Sequence, residues 1–126
     1  MKIYLDNCCY NRPFDDQNQP RVREETKAIF SVINQSKING DIILSSDVLL
    51  FEIGKIKNPG KRADVFSSFN KSVSEKVQIS SAEFGNADIF LTTDDKLIKA
   101  CQNLSLNVKV FNPVSYLAEV LKNDEH

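Results

Sequence analysis

The stretch Lys2-Ile3-Tyr4-Leu5-Asp6-Asn7-Cys8-Cys9-Tyr10-Asn11-Arg12-Pro13-Phe14-Asp15-Asp16-Gln17 decides how this chain reads. A short apolar run stops at an acid, so Lys2–Leu5 reads as a strand and Asp6-Asn7 as the turn that leaves it. Asn11–Gln17 then reads as a polar loop. From Pro20 to about Asn39 the pattern turns helical, with Val22, Thr26, Ile29, Phe30, Ile33 and Lys37 on one face and Asn39-Gly40 closing it. Asp41–Ser45 is a second buried strand. Strand, long helix and strand form a βαβ unit, which needs a parallel pair.

The remaining chain repeats the alternation. Ser45-Ser46-Asp47 offers an N-cap for a helix through Val48, Leu49, Glu52, Ile53 and Ile56, broken at Asn58-Pro59-Gly60. Arg62–Val73 reads as a helix with Val65, Phe66 and Phe69 on its stripe. Val77–Ile79 reads as a short strand and Ile89–Thr93 as a clear one. Asp94–Gln102 is a helix, Val108–Phe111 a strand, and Pro113–Leu121 a terminal helix with Pro in its first turn. The expectation is one α/β domain over residues 1–126 with a mainly parallel sheet.

Composition narrows the function classes. Apolar residues are 41% and charged residues 26% of 126, the balance of a globular domain. Sixteen basic residues face 17 acidic ones, which argues against coating nucleic acid by bulk charge. The only histidine is His126, and the three cysteines are Cys8, Cys9 and Cys101, so zinc and Cys-His nucleophile chemistry find little support. No apolar run reaches the ~20 residues of a membrane span, and the opening turns acidic too early for a signal peptide. The expected location is the cytoplasm, with reduced thiols.

Three acids fall at or just past strand ends: Asp6, Asp94 and, in the helix after the second strand, Glu52. In a parallel sheet, ligands bind beyond the carboxyl ends of the strands. Each acid also has an ordinary structural use. Asp6 suits a turn, Asp94 and Asp95 suit a helix N-terminus, and Glu52 suits an ion pair with Lys55 or Arg62. Glu52 lies among Leu49, Leu50, Phe51 and Ile53, so it is expected buried or partly buried. Clustered carboxylates require a proton or a cation, and an oxygen-only set suits Mg²⁺ or Mn²⁺, the ions of phosphoryl chemistry. Lys55, Lys57, Lys61 and Arg62 form a basic stretch able to hold phosphate backbone, with Lys96 and Lys99 on the other side of the cleft.

These segments resemble a PIN-domain protein, most closely of the bacterial VapC-like branch. Tyr4–Gln17 is similar to the family's first motif, Ser45–Ile53 to the second and Phe90–Leu97 to the fourth, with Thr92-Thr93-Asp94 at its centre. Asn112-Pro113 opening the last helix also fits. The resemblance implies a three-layer, RNase-H- or flavodoxin-like fold and a metal-dependent endoribonuclease of the toxin–antitoxin kind. Asp6, Glu52 and Asp94 would be the catalytic residues and hold Mg²⁺ or Mn²⁺, with Asn7, Thr92 and Asp95 behind them. RNA would be the substrate and a small antitoxin protein the partner.

The third acidic motif of the family is missing. About a helix–turn–helix of chain is absent between Ser81 and Ala82, so the fold is shortened before its fourth strand. Glu83 and Asp88 are candidates to replace the lost acid, although Asp88 suits the loop before the strand better. The loss implies weaker metal binding and an uncovered sheet face, hence a homodimer or larger assembly. The alternative function is a catalytically weak or inactive PIN-like domain that acts by binding protein. A phosphoryl receiver fits worse, since Asp6-Asn7 is not an acidic pair and Phe111-Asn112-Pro113 lacks the lysine. Asp6-Asn7-Cys8 likewise lacks the paired acids of haloacid-dehalogenase-type phosphatases.

Overall fold

The computed structural model describes residues 1–72, 75–76, 87–102 and 108–124. Strand β1 (Lys2–Leu5) leads into a short helix α1 (Asn7–Asn11) and a 3-10 turn (Arg12–Phe14), where a turn and a polar loop are expected. Asp6 nucleates α1, because its carboxylate accepts from the Asn7 N–H at 2.8 Å. Five residues are too few to show a helical period in the sequence.

Helix α2 (Pro20–Asn39) begins on proline and ends at Gly40, whose φ of 76° is the left-handed closure that glycine tolerates. Its buried face is Val22, Glu25, Thr26, Ala28, Ile29, Val32, Ile33 and Ser36. The expected face is therefore rotated: Phe30 and Lys37 are exposed, and the acid Glu25 is buried in their place.

Strand β2 (Ile42–Ser45) is followed by α3 (Asp47–Gly54), capped by the Ser46 hydroxyl accepting from the Leu49 N–H at 3.2 Å. Helix α4 (Pro59–Ser72) starts on Pro59, earlier than its apolar stripe suggests. Then come β3 (Glu75–Lys76), β4 (Ile89–Leu91), α5 (Asp95–Gln102), β5 (Lys109–Phe111) and α6 (Pro113–Asp124). The expected strand at Val77–Ile79, the candidate Glu83 and the shortened connection around them lie outside the described residues.

The five strands form an all-parallel sheet in the order β3-β2-β1-β4-β5. The chain moves outward from β1 through β2 to β3, then returns to the other side of β1 for β4 and β5. The order therefore reverses between β1 and β4, which is where such sheets open a crevice at their carboxyl edge. Helices α2 and α6 pack together, and α3 and α4 pack together and against α1. The arrangement is an α/β fold consistent with three layers. Its core includes Ile3, Leu5, Ile29, Ile43, Leu44, Leu49, Ile53, Val65 and Leu91, each worth ~1.5–3 kcal/mol of burial. Tyr4 stacks on Phe90, with ring centroids 5.3 Å apart. Tyr10 meets Phe69 edge-on and keeps a buried hydroxyl with no hydrogen-bond partner among the described residues.

Candidate functional site at the carboxyl edge of the sheet

Leu5 and Leu91 are register partners, so β1 and β4 end side by side. The next residue of each chain segment delivers a polar group to the crevice. The Asp6 N–H bonds the Leu91 carbonyl at 2.9 Å, and the sheet then lets both segments go. Thr92, expected inside the strand, has already left it. Its hydroxyl is fully buried, donates to Asp6 Oδ2 at 2.9 Å and accepts from the Asp94 N–H at 3.2 Å. Thr92 thus holds the Asp94 backbone rather than its carboxylate. The same hydroxyl joins Asp94 to Asp6, which the sequence does not suggest.

Each carboxylate has a second, structural use. Asp6 Oδ1 accepts from Asn7, and the Asn7 side chain is itself tied to Asn11 Nδ2 at 3.0 Å. Asp94 Oδ1 accepts from the N–H groups of Lys96 and Leu97 at 3.0 and 3.2 Å and so caps α5. Asp95 forms a two-pronged pair with Arg21 at 2.7 and 2.8 Å, which holds its carboxyl below the usual range.

Cys8 lies within this group. Its sulfur is 3.6 Å from Asp6 Oδ2, 3.4 Å from the Thr92 hydroxyl, and accepts from the Thr93 N–H at 3.3 Å. Hydrogen bonding from Cys9, Thr92 and Thr93 draws the Cys8 thiol down to about 6, against burial and the nearby Asp6 charge. Burial pushes the Cys9 thiol up, and its proton goes to the Leu91 carbonyl at 3.4 Å. All three cysteines are free.

Beneath the Asp94 turn runs a chain of alternating charges that spacing alone does not reveal. Lys61 meets Asp15 at 3.1 Å, Asp15 meets Arg12 at 3.2 Å, and Arg12 Nε meets Glu25 Oε1 at 2.9 Å. Glu25 Oε2 then accepts from Arg21 Nε at 3.3 Å, and Arg21 meets Asp95. Asn112 Nδ2 also donates to Glu25 Oε2. Glu25 is only 1% exposed, a burial a carboxylate accepts when its lone pairs are met. The sequence signal was there: Glu25 falls three residues after Val22 and four before Ile29, on the buried stripe.

Three placements bear on the site. Glu52 sits on α3 partly buried, as expected, with its side chain 45% exposed, and its partner is Lys55 at 3.7 Å, one of the two cations expected for it. The apolar run around it is two-sided: Leu49 and Ile53 are buried in the core, while Val48 and Phe51 face outward, Phe51 at 63% exposure. Second, the basic stretch is partly used within the fold. Lys61 pairs with Asp15, Arg62 donates to the Ile56 carbonyl at 3.0 Å, and Lys55 lies 4.4 Å over the Phe51 ring. Lys57 remains exposed. Third, Asp88 is at the opposite edge, where its carboxylate accepts from the Lys2 N–H at 2.8 Å, so it cannot replace an acid at the carboxyl ends.

The oxygen donors Asp6, Glu52 and Asp94 have the chemistry a hard divalent ion prefers. Their positions do not complete a ligand set: among the described residues no group of three or more His, Cys, Asp or Glu side chains is placed to hold a metal ion. A cavity of about 350 Å³ opens beside Asp94, lined by Arg12, Arg21, Thr93, Asp95 and Lys96. A larger hollow of about 510 Å³ lies toward β5, with Ile98, Val108, Val110 and Phe111 in its walls. No helix among the described residues is long and apolar enough to cross a membrane. Comparisons with protein-family models, curated proteins and solved structures find no match.

Proposed function

We propose that this chain is a PIN-like ribonuclease of the toxin–antitoxin type, hydrolysing RNA phosphodiester bonds with Mg²⁺ or Mn²⁺. The observation that carries the reading is the single Thr92 hydroxyl joining Asp6 to Asp94 where the strand order reverses. Asp6 and Asp94 are the residues that would hold the ion, and Glu52 is the third acid the family resemblance assigns. A hard divalent ion supplies Lewis acidity and charge neutralisation to a phosphodiester. The chain's own contribution is to fix both carboxylates on the rigid ends of adjacent strands, with Asn7 and Thr92 setting the rotamer of Asp6. The substrate is RNA; the exposed Lys96, which lines the cavity beside Asp94, offers a phosphate contact, and the exposed Lys57 is left over from the basic stretch.

A second reading is supported by a separate observation. The carboxylates are not gathered into a metal set among the described residues, while Val48 and Phe51 expose apolar surface one turn apart on α3. A catalytically weak domain that binds an antitoxin-like protein, or a second copy of itself, would have these features. Incubation of the purified chain with single-stranded RNA and Mn²⁺ separates the two. The nuclease reading expects cleavage that stops with a chelator and falls at least ~100-fold in Asp6→Asn. Intact RNA at every metal concentration, with a folded protein, would leave the binding reading.

A further inference from the structure

Residues Asn11–Gln17 and the middle of α2 are not used by the proposed chemistry, yet they carry the most elaborate polar network in the described structure. Its centre is Glu25, whose oxygens accept from Arg12, Arg21 and Asn112. These donors come from the segment after β1, from α2 and from the residue following β5. One buried carboxylate therefore ties together elements that surround the crevice.

Arg21 carries that anchor to the site. Its Nε is held by Glu25, while its two terminal nitrogens hold Asp95 through both carboxylate oxygens and the Thr93 carbonyl at 3.0 Å. Asp94 thus lies between two residues gripped by one guanidinium, and its own N–H is held by Thr92. We infer that Arg21, anchored by Glu25, is a positioning residue for the Thr92–Asp95 turn and so for the Asp94 carboxylate.

An arginine 53% exposed beside a nuclease site invites another role, direct contact with RNA phosphate. The hydrogen-bond count weighs against it. Four of the five N–H donors of a guanidinium are already used, by Glu25, by Asp95 twice and by Thr93. The role also needs the planar fork. A lysine brings the charge but neither the fixed geometry nor the simultaneous reach to Glu25 and Asp95.

The test compares Arg21→Gln and Arg21→Lys with the unaltered chain by amide hydrogen exchange and by RNA cleavage. The kinetic arm rests on the proposed nuclease function; the exchange arm does not. In Arg21→Gln the amides of Asp94, Lys96 and Leu97 are expected to exchange at least ~10-fold faster, with those of β1 unchanged. The turnover number is expected to fall ~10–100-fold, with KM for RNA within about twofold, and Arg21→Lys to be nearly as impaired. Lys27→Gln, an exposed change on the same helix, should alter neither. Unchanged exchange in the turn overturns the inference, as does a raised KM with normal turnover that Arg21→Lys restores. If the unaltered chain cleaves no RNA, the nuclease proposal falls, and exchange alone still decides whether Arg21 sets the turn.

Discussion

The segment after β1 and the segment after β2 make an instructive pair. Both leave the carboxyl edge of the sheet, and both contain a candidate acid. Asn11–Gln17 is mostly polar and reads as a loop, yet it is pinned. Arg12 is paired with Asp15 and Glu25, and the Gln17 amide donates to the Arg12 carbonyl at 2.8 Å and to the Thr26 hydroxyl at 3.2 Å. Val48–Ile53 is nearly all apolar, yet it is two-sided: Leu49 and Ile53 are buried, Val48 and Phe51 face outward, and Glu52 pairs with a near-surface lysine. Whether a group is buried was decided by which partners the fold brings to it. Polarity along the chain shows neither the pinning of Arg12 and Gln17 nor the outward turn of Val48 and Phe51.

Substitutions in the two segments should separate them clearly. Glu25→Ala is expected to have the largest effect, because it strands Arg12 and Arg21 and empties a packed position. Breaking a buried pair costs ~3–5 kcal/mol, and the partial exposure of both arginines reduces this to about 2–3 kcal/mol, measurable by urea unfolding. A loss under 1 kcal/mol would mean that the network is ornamental. Ser46→Ala tests what does fix α3. It removes the cap on Leu49 and the contact with the Tyr4 hydroxyl at 3.0 Å, and should cost about 1–2 kcal/mol.

Phe51→Ser and Glu52→Gln should change stability by no more than ~0.5 kcal/mol, since both side chains stand well into solvent. A loss above 1 kcal/mol that depends on protein concentration would show that a second copy covers this face. The smallest effect concerns acid. Arg21 lowers the Asp95 carboxyl, so the pair stabilises the fold above the ordinary aspartate range (~4) and stops doing so as pH falls through the lowered value. Urea midpoints of the unaltered chain and Asp95→Asn should therefore differ at pH 7 and converge in acid, once pH has fallen through the lowered value.

Most of the alternating elements were legible in the sequence because they were long enough to show a period or were marked at their ends; the five-residue α1 was neither. Pro20 and Gly40 bracket α2, and Ser46 caps α3 as its position predicts. The site was half legible. Asp6 and Asp94 announce themselves by ending strands. Their link through Thr92 was hidden, because Thr92 and Thr93 look like strand residues until the sheet is seen to stop at Leu91. Glu25 was hidden for another reason. An acid on an apolar stripe reads as an interruption unless its partners are known; its two arginines sit 13 and four residues upstream, and its third donor, Asn112, lies 87 residues downstream.

The Glu25 junction also bears on how this chain can have changed over generations. Arg12, Glu25, Arg21, Asp95 and Asn112 satisfy one another in a closed arrangement, so altering any one alone leaves a group without its counterpart. Descendants should keep the five together or replace them together, and intermediate combinations should be rare. Sequence drift at these positions would then be correlated, although Arg12 and Asn112 stand a hundred residues apart.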